Sequence, residues 1–297
     1  MYHPELSHSQ NFLHSRTLVM ELINLANIKQ ADIIVEIGPG KGIITRQLAR
    51  VCSQVIAVEY DTDLYNNLVQ DFRSINNVAI HHGDFLAFDL SSRKFKIFAS
   101  IPFNITSAIV AHITNSIHQP TDAYLIMQKE AAKKYLGLPY STESLKSLLI
   151  KPRFELSIIH NFRSTDFSPA PSVRVVFVHL HKRPAPLLMD NDYRRYKDFL
   201  CYVFSQRGKT IGERTRSIFT KTQLRRLGDQ LRFSTAAGLI DLSFDQWLSI
   251  FSCYSERVSP EKQKLVKGAY IKLKRQQDRL EKIHRSRTGR RSGRTHQ

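Results

Sequence analysis

DIIVEIGPGKG, residues 32 to 42, is the stretch that decides the fold class of this 297-residue chain. It begins as a compact apolar strand and ends in three closely spaced glycines. The residues that follow, GIITRQLARVC, carry apolar side chains at helical spacing. A glycine-rich turn between a strand and a helix lets the backbone approach a ligand at the carboxyl end of a parallel sheet.

Five further β-rich runs continue this pattern along the chain. They are Gln54–Tyr60, Val78–Asp84, Phe95–Ser100, Ala123–Gln128 and Val175–His181. Helical patterns lie between several of these runs, among them Thr106–His118. Strands that alternate with helices predict an α/β fold, here a Rossmann-like, doubly wound and mainly parallel sheet.

A proline-bearing linker, KRPAPLL at 182–188, ends this part of the sequence. Only helical patterns follow it, at Asp192–Ser205, Thr222–Arg226, Ser234–Leu239, Ser243–Ser252 and Pro260–Arg285. We therefore predict a catalytic domain at 1–182 and a small all-α domain at 183–284. Residues 285–297 lack apolar side chains that could join a core, and we expect them to be a disordered basic tail.

The net charge of +18 is concentrated in the last third of the chain. Residues 207–232 carry a net +6 and residues 262–297 a net +11. Such blocks fit a polyanionic partner, and we expect RNA phosphates to bind them; the alternative is a solvated helical face with a tail. The candidate RNA-binding residues are Arg207, Lys209, Arg214, Arg285, Arg287, Arg290, Arg291 and Arg294.

Cys52, Cys201 and Cys253 lie far apart, without metal-ligand spacing, and we expect no metal. Their apolar surroundings indicate reduced core residues and a cytoplasmic location. The sequence has neither a membrane-length apolar stretch nor a secretion signal. We expect a monomer with neither a membrane nor DNA as a partner.

The glycine turn carries the first indication of a cofactor. Gly38, Gly40 and Gly42 follow a G-x-G-x-G spacing, whereas a dinucleotide site usually has its third glycine one residue later. Glu36 precedes the first glycine by two residues and favours a cationic group, such as a methionyl ammonium, over a phosphate. A nicotinamide dehydrogenase would need a different glycine spacing, and the sequence offers no candidate residues for hydride chemistry.

Two further strand ends offer acceptors for an adenosyl group. Glu59 ends the second strand, where a carboxylate accepts hydrogen bonds from ribose hydroxyls. Asp84 ends the third strand and can accept from the adenine amino group, with Phe85 beside it. Together with Glu36, these residues predict an S-adenosyl-L-methionine site; the alternative is that the acids only cap helices.

Ser100-Ile101-Pro102-Phe103 closes the fourth strand and is the candidate chemistry site. An exocyclic adenine amine is a weak nucleophile, and oxygens from Ser100 and the Ile101 carbonyl could hold its protons. Phe103 can stack on a base flipped out of its helix. Pro102 fixes the backbone so that these groups converge. Since the sulfonium donor is already activated, positioning is the main requirement.

Several motifs together resemble the ribosomal RNA adenine N6-methyltransferases. They are SQNFL at 9–13, EIGPGKG at 36–42, Glu59, GDF at 83–85, IPFNI at 101–105, FSPAPSV at 167–173 and FSQRGKT at 204–210. The resemblance implies that Asn11 and Leu13 help to close the cofactor pocket and that Ser100 also contacts the cofactor. It makes Phe167 a candidate second wall for the flipped adenine.

Within this superfamily the chain looks most like the Erm branch. That branch modifies an adenine of 23S rRNA, before ribosome assembly, and confers macrolide, lincosamide and streptogramin B resistance. Ser100 departs from the family's usual asparagine, and we expect activity to survive with a preference for one methyl addition. A 16S rRNA dimethyladenosine transferase is the closest alternative. A non-catalytic RNA-binding protein is another, against which the intact Glu36, Glu59 and Asp84 argue.

Overall fold

The computed structural model describes residues 11–90, 93–277 and 279 of the chain. Two compact units make up the fold: Met1–Leu136 with Arg153–Ala185, and Gly137–Pro152 with Pro186–Gln297. The break after Ala185 lies close to the boundary predicted at residue 182. No sequence pattern indicated that Gly137–Pro152 groups with the helical unit.

The strands of the first unit form one large sheet and one short pair. Their bounds are β1 Phe12–Leu13, β2 Ile33–Ile37, β3 Gln54–Glu59, β4 Val78–His82, β5 Lys96–Ser100, β6 Asp122–Gln128, β7 Phe154–Asn161, β8 Phe167–Ser168 and β9 Val175–Lys182. The large sheet has the order β4-β3-β2-β5-β6-β9-β7. Neighbouring strands from β4 to β6 are parallel, and β9 is antiparallel to both β6 and β7. The predicted α/β fold with a mainly parallel sheet is confirmed.

Between residues 11 and 152, the described part of the chain forms six α-helices besides the strands. They are α1 Arg16–Leu25, α2 Ile43–Leu48, α3 Thr62–Phe72, α4 Thr106–Asn115, α5 Lys129–Leu136 and, in the second unit, α6 Leu145–Ile150. The Ser15 hydroxyl caps α1, and the Asp61 carboxylate caps α3. Gly42 precedes α2 at φ +72°, and a Cβ there would lie 2.8 Å from the Phe72 ring. The third glycine of the turn therefore allows α3 to pack closely against it.

Strand β7, Phe154–Asn161, was not predicted from the sequence. Most of this strand is only half-buried, because it lies at the edge of the sheet. Because polar and apolar residues are mixed along it, the strand does not form the compact apolar run that is typical of a buried strand. The central strands are recognisable for the opposite reason: the four residues from Ile34 to Ile37 in β2 are all buried.

The second unit is helical, as predicted, around a core that includes Trp247, Phe199 and Tyr196. Its further helices are α7 Asp190–Ser205, α8 Ile211–Thr215, α9 Lys221–Leu231, α10 Phe244–Arg257 and α11 Pro260–Val266, and residues 269–277 are also helical. No helix of the described residues is long and apolar enough to cross a membrane.

Two helical predictions in this unit are wrong. The segment Ser234–Leu239 forms turns and leads into a short 3-10 helix, Leu239–Asp241, whose aspartate accepts from the Gly238 N–H. The segment Pro260–Arg285 is not one helix, because the chain turns at Gly268, which has φ +83°. Asp198 accepts from the N–H groups of Gly268 and Tyr270 and so stabilises this break. The predicted tail at 285–297 lies outside the described residues.

Candidate active site at the carboxyl ends of the parallel strands

Four neighbouring strands bring the predicted cofactor and chemistry residues to one edge of the sheet. β4, β3, β2 and β5 are parallel, and their carboxyl ends lead to Asp84, Glu59, Gly38 and Ser100 respectively. The chain crosses to opposite sides of β2 to form β3 and β5. Such a switch point is where open α/β sheets bind their ligands.

Glu36 is a buried carboxylate without a partner. Its residue is 1% exposed, and neither carboxylate oxygen has a hydrogen-bond partner among the described residues. Burial raises the pKa of Glu36 to about 8, an effect that the neighbouring Thr45 partly offsets. The Thr45 hydroxyl is itself buried without a hydrogen bond of normal geometry. A buried acid left unsatisfied in this way fits a ligand that brings a cation to it.

Glu59 organises the glycine turn. Its carboxylate accepts from the Gly40 N–H at 3.0 Å and from the Asp61 N–H at 2.9 Å. Burial raises the pKa of Glu59 above its ordinary value, and these backbone hydrogen bonds partly offset that rise. A carboxylate has about four lone-pair positions, so further acceptor capacity remains for ribose hydroxyls. Its contact with Gly40 was not foreseen from the sequence.

Asp84 is exposed at the end of β4, next to a buried Phe85. One of its oxygens accepts from the Leu86 N–H at 2.9 Å and caps the 3-10 helix Phe85–Ala87. The capping role that was the alternative interpretation is therefore present. It occupies one carboxylate oxygen and leaves the other for a ligand. The Phe85 ring packs edge-on against His112, with centroids 5.2 Å apart.

The tetrapeptide after β5 has a fixed backbone. Ile101 is buried, and its N–H donates to the Ile126 carbonyl at 3.1 Å. Pro102 adopts φ −59° and begins the 3-10 helix Phe103–Ile105. The Thr106 hydroxyl lies within hydrogen-bond distance of the carbonyls of Pro102 and Phe103. Ser100 and Phe103 are half-buried, so both retain surface that a ligand can reach.

The short pair of β1 and β8 joins two motifs that are far apart in the sequence. Leu13 lies opposite Phe167, and Phe12 lies opposite Ser168. The pairing brings Leu13 next to Phe167, although the two were predicted to serve different parts of the site. The pair is supported by His14, whose Nε2 lies 2.8 Å from the Thr165 carbonyl.

Phe12 packs on the glycine turn, a role that was not predicted for it from the SQNFL motif. Its ring packs on the glycine turn: a Cβ at Gly40, where φ is +59°, would lie 2.6 Å from the ring. The Lys41 ammonium lies 5.2 Å from the centre of the same ring. The SQNFL motif thus covers the glycine turn through Phe12.

Phe167 is more deeply buried than its predicted role requires. The residue is 4% exposed and packs beside Phe162, with ring centroids 5.2 Å apart. It belongs to the same apolar cluster as Leu13, and Phe103 packs against that cluster. Phe103 is therefore the more accessible of the two aromatic residues assigned to the adenine.

We expect Gly40→Ala to destabilise the protein more than Gly38→Ala. Both glycines have φ near +60°, so both alanines carry a similar backbone strain. A Cβ at Gly40 meets Phe12, whereas a Cβ at Gly38 meets no described atom within 4 Å. Thermal melting of the two variants measures the difference. Equal melting temperatures would contradict the contact between Phe12 and the turn.

A separate basic cavity lies within the second unit, between α7 and α8. It has a volume of about 430 Å³ and is lined by Ser205, Gln206, Arg207, Glu213, Arg214, Arg216 and Ser217. Two of the lining arginines, Arg207 and Arg216, are exposed, and so is Lys209, two residues after Arg207. Arg216 was not among the predicted residues, although it lies in the same basic block.

Arg214 stabilises the loop between α7 and α8, a role that could not be predicted from the sequence. Its guanidinium donates at 2.8 Å to the carbonyls of Gly208 and Phe204 and so closes the loop. The predicted RNA-binding residues Arg285, Arg287, Arg290, Arg291 and Arg294 lie outside the described residues.

Comparison with known proteins identifies the family. The family described as Ribosomal RNA adenine dimethylase matches residues 4–256 of the chain. The chain belongs to this family. Ribosomal RNA small subunit methyltransferase A of Francisella tularensis (strain SCHU S4) is 31% identical over 222 residues, which cover 72% of this chain and 84% of the relative. The protein of the same name from Francisella tularensis subsp. novicida is 30% identical over the same length.

Two solved structures are similar over most of the chain. The 23S rRNA methyltransferase ErmE is 26% identical with a TM-score of 0.76, and the match covers 83% of this chain and 100% of that one. A dimethyladenosine transferase from Plasmodium falciparum is 20% identical with a TM-score of 0.65, over 82% of this chain and 98% of that one, which shows a shared fold.

Family membership confirms the predicted enzyme class. The chain is an S-adenosylmethionine-dependent rRNA adenine methyltransferase, and the predicted cofactor is confirmed with it. The predicted resemblance to the superfamily, with similarity to an Erm enzyme, is confirmed as well. The orphaned carboxylate of Glu36 fits the cation that this cofactor carries.

Proposed function

We propose that this family member methylates N6 of an adenine in 23S rRNA and thereby confers macrolide, lincosamide and streptogramin B resistance. We favour 23S over 16S rRNA as the substrate because the similarity to ErmE extends over the whole of that chain. In this proposal the protein acts as a monomer in the cytoplasm, on 23S rRNA that is not yet assembled into ribosomes.

Residues at the ends of β2, β3 and β4 each bind a different part of the methyl donor. Glu36 pairs with the ammonium of the methionyl group, because its carboxylate is buried and otherwise unsatisfied. Glu59 accepts from the ribose hydroxyls while its backbone hydrogen bonds keep it in place. Asp84 accepts from the adenine amine, with Phe85 beside the ring. Asn11 and Leu13 close the pocket from β1. When bound, S-adenosylmethionine supplies an activated methyl group.

The tetrapeptide positions the adenine that receives the methyl group. The Ser100 hydroxyl oxygen and the Ile101 carbonyl accept the N6 protons, which draws the nitrogen lone pair out of the ring. Phe103 stacks on the flipped base, and Phe167 supports the stack from the cluster beneath it. The rigid backbone at Pro102 supplies the in-line geometry on which the rate depends.

Replacing Ser100 with asparagine is expected to shift the product from monomethyladenosine towards dimethyladenosine. Serine has a shorter reach than the family's asparagine and lacks its amide, so it holds the monomethylated amine less well for a second transfer. Mass spectrometry of the modified adenine at saturation measures the ratio. A wild-type product that is already mostly dimethyladenosine would contradict the predicted preference.

Arg207 and Lys209 are expected to bind RNA phosphates rather than bases. Changing both to alanine should weaken RNA affinity for every sequence and lower the slope of log affinity against log salt by about 2. S-adenosylmethionine affinity, measured on the same variant, should stay unchanged because the cofactor residues belong to the first unit. An unaltered slope would show that Arg207 and Lys209 do not contact RNA phosphates.

A 16S rRNA adenine is the second candidate substrate. It is favoured by the 31% identity to the small subunit methyltransferases. Purified protein offered naked 23S and 16S rRNA in separate reactions distinguishes the two, and primer extension on the product locates the modified base. Methyl incorporation into 23S rRNA, with macrolide resistance in a susceptible host that expresses the chain, supports the first proposal. Incorporation into 16S rRNA alone refutes it.

A further inference from the structure

A cluster of three potential metal ligands lies at the amino ends of the parallel strands, away from the candidate active site. Its members are Asp122, His179 and His181. Asp122 is the first residue of β6, whereas the cofactor and chemistry residues follow the carboxyl ends of the parallel strands. The two histidines form an H-x-H pair near the end of the antiparallel strand β9. The proposed methyl transfer uses none of the three residues.

Strand register brings the three side chains together on one face. Asp122 lies opposite His181 and Tyr124 opposite His179 in the antiparallel pair of β6 and β9. Residues two apart in a strand point to the same face. The His179 Nε2 lies 2.9 Å, and the His181 Nδ1 2.8 Å, from Asp122 Oδ1. The Tyr124 ring stacks on His179, with centroids 4.5 Å apart and planes at 12°, and holds that imidazole in place.

The geometry points to a binding site for a divalent transition metal of the zinc class at Asp122, His179 and His181. One nitrogen from each imidazole and one carboxylate oxygen all lie within 4.8 Å of one another. In a tetrahedral site with bonds of about 2.0–2.1 Å, the ligand atoms are separated by about 3.3 Å. The two nitrogens therefore need to move back from the carboxylate by roughly half an ångström.

The cluster is open to an incoming ion. The side chains are 24% exposed for His179, 42% for His181 and 14% for Asp122. Two imidazoles and a carboxylate are a ligand set that zinc uses in proteins, with the remaining position open to water or another ligand. The ligands come from two adjacent strands, so the ion would cross-link β6 to β9.

A further carboxylate, Glu155, lies one strand further along but outside the group of three ligand residues. Glu155 of β7 is the register partner of His181 and therefore belongs to the same face. It pairs with Arg183 at 2.7 Å. No metal was expected from the sequence, because only the spacing of the cysteines was considered and not this H-x-H pair.

Cobalt(II) binding to the full chain tests the site. After treatment with a chelator, the wild type, Asp122→Asn, His181→Asn and His118→Asn are titrated with Co²⁺ and followed by visible absorption, and with Zn²⁺ and followed by calorimetry. His118 is exposed and outside the cluster, so His118→Asn is the matched control. S-adenosylmethionine binding shows that each variant is folded.

The expected result is one Co²⁺ equivalent with visible d–d bands in the wild type and in His118→Asn. Asp122→Asn and His181→Asn should each lose that equivalent and its spectrum. Zn²⁺ should raise the melting temperature of the wild type and the control, and of neither cluster variant. Equal stoichiometry and equal spectra in all four proteins would overturn the assignment. So would a wild type that binds no Co²⁺ at micromolar concentrations.

Discussion

Glu36→Gln is expected to stabilise the protein without cofactor and, at the same time, to weaken its binding of S-adenosylmethionine. Burial raises the pKa of Glu36 to about 8 from 4.5. At pH 7 the unfolded chain carries an ionised Glu36 and the folded chain a protonated one, at a cost of about 3 kcal/mol. Glutamine has a similar shape and no such cost, so its melting temperature should be higher.

The pH dependence of stability follows from the direction of this shift. Because the folded pKa is raised, the protein binds a proton more tightly when folded, and the resulting stability is lost as the pH rises from 4.5 to about 8. The melting temperature of the wild type should therefore fall more over this range than that of Glu36→Gln. Glu21→Gln, a change at an exposed position of α1, is the control and should follow the wild type.

The affinity for S-adenosylmethionine should fall in Glu36→Gln, whereas the stability of the protein without cofactor should rise. A carboxylate that pairs with an ammonium contributes about 1.5–3 kcal/mol, so Glu36→Gln is expected to weaken binding roughly 10- to 100-fold. In the wild type, pairing below pH 8 requires Glu36 to release its proton, so affinity should rise with pH between about 6 and 7.5. Calorimetry of both proteins measures this. Unchanged affinity in the variant would contradict the assigned contact.

Phe103→Ala is expected to lower kcat/KM for RNA by one to two orders of magnitude while the affinity for S-adenosylmethionine is preserved. Stacking of a base on an aromatic ring contributes about 1–3 kcal/mol, and Phe103 is the more accessible of the two rings assigned to the adenine. Phe103→Tyr keeps the stacking face and should retain most of the activity. Equal losses in both variants would indicate a packing role in the apolar cluster instead of contact with the adenine.

The central sheet could be predicted because its strands are buried on both faces. Compact apolar runs such as the one before Gly38 are typical of buried parallel strands, and the acidic residues at the ends of these strands are the basis of the predicted cofactor site. The edge strand β7 was missed, because one exposed side leaves no continuous apolar run. The helix predicted at Ser234–Leu239 was wrong, because local hydrogen bonds at Gly238 favour turns there.

Long-range contacts account for what the sequence could not show about the site. The pairing of Leu13 with Phe167 joins residues 154 positions apart in two strands of only two residues each. The hydrogen bond between Gly40 and Glu59 and the unsatisfied state of Glu36 depend on how neighbouring strands meet. No local pattern in a single sequence encodes these distances.

A crystal structure of the chain with S-adenosylhomocysteine, the demethylated product of the donor, is the most direct test of the cofactor site. We predict density at the carboxyl ends of β2, β3 and β4, with the ammonium within hydrogen-bond distance of Glu36 and the ribose on Glu59. Density elsewhere, or a ligand that leaves the Glu36 carboxylate without a partner, would contradict it.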